Sequence, residues 1–69
     1  MSRQKQMEIF AGNSIREIVH AKDQTERDRL VGMYAGFLAG VRMTNAISQQ
    51  EYNKYYAELQ EIAHKLEAA

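Results

Sequence analysis

The groups that could do chemistry in this chain of 69 residues are two histidines, nine carboxylates and nine Lys or Arg side chains, with no cysteine among them. Glu58 and Glu61 precede His64 at helical spacing, so one helix could hold a carboxylate beside that imidazole. A zinc site needs at least three protein ligands, and neither His64 nor His20 has a second ligand at metal spacing. Both read as solvated imidazoles near helix C-termini, where a cation suits the exposed carbonyls. There is no Gly-rich phosphate loop, no serine beside a base and no recognisable pair of carboxylates. The expectation is therefore no catalytic residue, no metal and no cofactor.

Binding is the remaining chemistry. Gln49 and Gln50 open a helix after a short turn, where a recognition helix would read adenine, and Arg42 precedes that turn. Arg3, Lys5, Arg27 and Arg29 are further candidates for phosphate. The helix that Gln49 and Gln50 open carries Glu51, Glu58, Glu61 and Glu67 against only Lys54 and Lys65, and an acidic recognition helix repels phosphate. Across the whole chain the formal charge is zero, so no global field draws it to nucleic acid or anionic lipid. A DNA-associated transcriptional modulator, touching nucleic acid through Arg42, Gln49 and Gln50, is the second reading.

A protein partner is the first. Leu30, Val31, Met33, Tyr34, Phe37, Leu38 and Val41 cover more than one stripe of a helix, which is the pattern of a central helix. Gly32, Gly36 and Gly40 recur every four residues beside Ala35 and Ala39, making a groove where another backbone can come close. Each glycine costs about 1 kcal/mol of helix propensity relative to alanine, so something should pack across that face. A neighbouring helix of the same chain and a second copy are the two alternatives. Aromatic residues and methionine are enriched at interfaces, and the expected dimer or partner surface is Gly32, Met33, Tyr34, Gly36, Phe37, Gly40, Met43 and Tyr56. The competing place for each is the core, which suits Phe37 better than Met43 or Tyr56.

The elements that position these residues read as three helices in one domain spanning 1–69. Met7, Ala11, Ile15, Ile18 and the stem of Lys22 recur at three-four spacing, flanked by Phe10 and Val19, and set a first helix at about 3–21. Gly12 and Asn13 weaken it, and Ser14 with Glu17 has capping-box spacing, so a break near Ala11 and a restart at Ser14 is the alternative. Asp23 or Thr25 caps a second helix at about 24–44. Ser48 with Glu51 forms a capping box, and Ile47 with Tyr52 takes the two positions of a hydrophobic staple. They start a third helix at about 48–67, with Tyr52, Tyr55, Leu59, Ile62 and Leu66 along one seam. The short connection makes helices two and three an antiparallel hairpin, within one chain or exchanged between two.

Size narrows the class further. Below roughly 70–80 residues one core supplies about 3–5 kcal/mol, and without cysteine no disulfide adds to it. Self-association into a homodimer is the expected supplement. The apolar block Leu30 to Val41 is short of the ~20 residues of a membrane span. Met1 to Gln6 is polar and basic with no apolar stretch behind it, so a cytoplasmic location without a membrane contact is expected.

The run Ala46-Ile47-Ser48-Gln49-Gln50-Glu51-Tyr52, continuing through Tyr56 to Leu59, resembles the short C-terminal (SHOCT) domain, a small helical hairpin of bacterial and phage proteins. Ser48, Glu51, Tyr52 and Leu59 match its spacing, Leu38 lies in the preceding helix, and the resemblance covers about residues 37–62. Gln49 and Gln50 stand where that family has acidic residues. The resemblance implies oligomerisation or partner binding and no catalytic residue. The chain is similar in general look to short phage-encoded helical proteins, which would place it in a host cytoplasm. Together these expectations describe an all-α, three-helix, dimeric interaction module, a small regulator or inhibitor that binds a larger protein.

Overall fold

The computed structural model describes residues 2–68 and contains three helices that pack against one another, α1 (Arg3–Val19), α2 (Gln24–Met43) and α3 (Gln49–Ala68). Ser2 caps α1, its hydroxyl accepting from the Lys5 N–H at 3.1 Å. The helix runs unbroken through Gly12. No restart occurs at Ser14, because one register puts Met7, Ala11 and Ile18 on the core while Gly12 faces outward. The expected end at residue 21 moves back to Val19, with His20 as the cap, and Lys22 leaves the stripe for an exposed connection. Asp23 then caps α2, accepting from the Glu26 N–H at 2.8 Å, while Glu26 reaches back to accept from the Lys22 N–H at 3.0 Å.

The connection from α2 to α3 is fixed by two consecutive capping devices. At the end of α2 the Ala46 N–H donates to the Val41 carbonyl at 2.8 Å and the Asn45 N–H to the Arg42 carbonyl at 3.0 Å. That is a Schellman pattern, and it requires a left-handed residue just past the helix cap. Asn45 supplies it at φ 62°, a conformation asparagine tolerates better than most residues. Three residues later the capping box closes: the Glu51 N–H donates to Ser48 Oγ at 3.1 Å and the Ser48 N–H to Glu51 Oε1 at 2.9 Å. Ile47, at the staple position, is buried, and Tyr52 packs against the same core.

Each helix gives the core one fully buried large side chain: Ile18 from α1, Leu38 from α2 and Leu59 from α3. Met7, Ala11, Tyr34, Ile47 and Tyr55 complete the buried set, and Ile62 and Leu66 pack against it along the α3 seam. Helix α2 makes the most extensive contacts with the other two, as its breadth of apolar residues requires.

The Glu51 carboxyl is held below its ordinary value first by the Ser48 backbone N–H and then by the Ser48 hydroxyl. Its contribution is therefore present above the unfolded value and is lost as pH falls through the lower folded one. Ser48→Ala should cost about 1 kcal/mol in urea unfolding. Glu51→Ala should flatten the loss of stability on the acid side, and an unchanged acid limb would remove the capping box from that role.

Candidate interaction surface

Helix α2 presents its two faces to different surroundings. Tyr34 and Leu38 point into the core, and Leu30, Val31 and Val41 pack beside them. At 100° per residue Gly32, Gly36 and Gly40 fall on the opposite side, and all three are exposed. A β-carbon built at any of the three meets nothing within 4 Å. No helix of the same chain fills the groove, so that one of the two alternatives for the glycine face is not realised. Met43 is 77% exposed and Met33 60% exposed, and they border the glycine strip. The Arg29 guanidinium lies along it, its Nη1 donating to Met33 Sδ at 3.4 Å.

The remaining expected interface residues separate clearly. Tyr34 is only 3% exposed and belongs to the core of the single chain, so its ring has no surface left for a partner. Burial, followed by the nearby Glu58 and Tyr55, pushes its hydroxyl up to about 12. Tyr55, also buried, is pushed up by burial and by Glu8, Glu51 and Glu58. Phe37 is half-buried, and Tyr56 is half-buried with its ring stacked on Tyr52 at 5.6 Å. The nucleic-acid candidates meet at the corner between α2 and α3. Arg42 lies over the Tyr52 ring at 5.1 Å and its Nη1 donates to Gln49 Oε1 at 3.1 Å. The Gln49 amide in turn donates to Asn53 Oδ1 at 2.9 Å, while Gln50 is exposed. Two of the three side chains are thus engaged with neighbours inside the chain.

A second surface was not singled out by the sequence. Phe10 of α1 is 41% exposed although its ring lies 4.2 Å from that of Phe37 and 6.1 Å from that of Tyr34. The Phe10–Phe37 pair stands in the middle of a groove between α1 and α2, with an open depression at either side. One, of about 450 Å³, is lined by Asn13, Glu17, Leu30 and Met33; the other, of about 320 Å³, by Arg3, Gln6, Val41 and Ala46. The signal in the sequence was Phe10 lying beside the stripe of α1 rather than on it, which read as a flank of the core. His20 and His64 are exposed. Among the described residues no group of three His, Asp or Glu side chains could hold a metal ion, and no helix is long and apolar enough to cross a membrane.

Comparison with family models, with curated proteins and with solved structures finds no match. The resemblance of residues 37–62 to the short C-terminal domain therefore rests on the residues that carry it.

Two outcomes follow from the placement of the glycines and of Tyr34. Because nothing crowds a β-carbon there, Gly32→Ala, Gly36→Ala and Gly40→Ala should each stabilise the isolated chain by about 0.5–1 kcal/mol in thermal or urea unfolding. Destabilisation would mean that the strip is packed. For Tyr34 the folded value lies above the unfolded value of 10.0, so its contribution is complete below pH 10 and is lost as pH rises toward 12. Tyr34→Phe should reduce the slope of stability against pH in that alkaline window and leave neutral pH unaffected by titration.

Proposed function

We propose that this chain is a non-enzymatic helical interaction module, a small regulator or inhibitor that covers a surface of a larger protein with the outer face of α2. The observation that carries the reading is the open strip of Gly32, Gly36 and Gly40, bordered by Met33 and Met43. Three glycines in the middle of a 20-residue helix sacrifice helix propensity, and among the described residues nothing stands within 4 Å of a β-carbon built at any of them. A partner helix could approach the α2 backbone closely there. The flexible, polarisable methionines could adapt to its side chains. The likeness of residues 37–62 to a family of oligomerising and partner-binding hairpins points the same way, and an antiparallel α2–α3 hairpin is the arrangement that the five-residue connection and the Arg42–Tyr52 contact support.

A DNA-associated modulator takes second place. What favours it is the gathering of Arg42, Gln49 and Gln50 at one corner; what weighs against it is that Arg42 and Gln49 bind each other and that α3 is acidic.

The chain has no cysteine, so a single thiol can carry a short photo-crosslinker. Attached at Gly36→Cys and irradiated in the producing cells, it should give a discrete adduct with a protein larger than this one. The same label at Glu61→Cys on α3 should not, and Gly40→Leu should abolish the adduct from position 36. Absence of an adduct from position 36, or equal adducts from both positions, would contradict the reading.

A further inference from the structure

We infer that two copies of this chain meet through the groove between α1 and α2, around a two-fold axis at Phe10, with Arg3 of each copy facing Glu17 of the other. This surface is distinct from the glycine strip of α2, and the inference stands whether or not that strip binds a target.

Three observations lead to it. The first is apolar and exposed: Phe10 is 41% exposed at the centre of the groove, on Phe37, with Met33 at 60% on one side. The second is charge. Arg3 lines the depression at one end of the groove and Glu17 the depression at the other. Neither forms an ion pair or a side-chain hydrogen bond among the described residues. They are 14 residues apart on one helix, about 21 Å, so one chain cannot pair them.

The third is register. Arg3, Phe10 and Glu17 are spaced by seven, two helical turns, and so share one face of α1 with a drift of only about 20° per step. Rotating a second copy by half a turn about Phe10 puts its Glu17 opposite Arg3 and its Arg3 opposite Glu17, forming the same pair twice. The same operation sets Gln6 against Ser14 and, on α2, Val41 against Met33 about Phe37. The surface is thus complementary to itself, as a two-fold interface must be.

The glycine strip lacks that property. A two-fold axis at Gly36 would set Arg29 against Met43 and Asp28 against Thr44, with no charge matched. A dimer built this way covers Met33 and leaves Gly36, Gly40 and Met43 of the outer α2 face free.

The test is the solution mass across a dilution series, on exposed positions whose exchange leaves the core untouched. The wild-type mass should approach twice 7.9 kDa as concentration rises. Arg3→Glu or Glu17→Arg alone should weaken the association roughly tenfold, since each places like charges together at two points. The double variant R3E/E17R should restore it. Geometry has its own readout. Phe10→Cys lies on the axis and should form an interchain disulfide on mild oxidation, whereas Glu17→Cys should not, because its two copies are about 21 Å apart and a disulfide spans less than about 7 Å between α-carbons. A mass of 7.9 kDa at every concentration overturns the inference. So does a dimer indifferent to the single exchanges, or a double exchange that restores nothing.

Discussion

Burial of one large side chain from each helix, Ile18, Leu38 and Leu59, is the constraint on which the rest of this structure depends. A chain of 69 residues has little apolar surface to spare, and these three leave no exposed area at all. They fix the rotation of each helix about its own axis. Once Leu38 points inward, Tyr34 one turn earlier must point inward with it, and Gly32, Gly36 and Gly40 must point away. The open strip on α2 is therefore a consequence of the core, set by the same register that buries Tyr34.

The caps do a complementary job. A core of this size leaves the helix ends close to the surface, where unpaired N–H and carbonyl groups would otherwise compete for water. Ser2, Asp23 and the Ser48–Glu51 box satisfy the starts of the three helices, and Asn45 at φ 62° turns the chain between α2 and α3 without a glycine. With the turns settled locally, three of the four glycines stand in α2, where they do not help the single chain. That mismatch between local preference and position is the strongest functional signal here, since local and global preferences conflict mainly where a sequence serves something besides folding.

Much of the fold was legible because its signals are local. The capping box at Ser48, the Asp23 cap and the three-four spacing through Met7, Ala11 and Ile18 each depend on residues within a few positions of one another, and all appear in the structure. The α3 seam was legible for the same reason. What sequence could not decide was how α1 rotates against α2. The three-four rule admits Phe10 as a core neighbour or as a surface ring, and only the packing partner, Phe37 at 4.2 Å, shows that it is both. Tyr34 was the converse case: an aromatic on a helix apolar nearly all round suits an interface or a core equally, and the position of Leu38 assigns it to the core. The glycine strip was visible as a pattern, but whether it was filled required the other two helices in place.

The outer face of α2 is open in the single chain, and the methionines report on it without any substitution. Met33 and Met43 border the strip, whereas Met7 is 7% exposed in the core. Oxidation to the sulfoxide tracks access to the sulfur. In dilute solution, brief peroxide treatment followed by mass spectrometry should modify Met33 and Met43 rapidly and Met7 slowly. Protection of Met33 and Met43 equal to that of Met7 would mean that α2 is covered on every side, and would contradict the account.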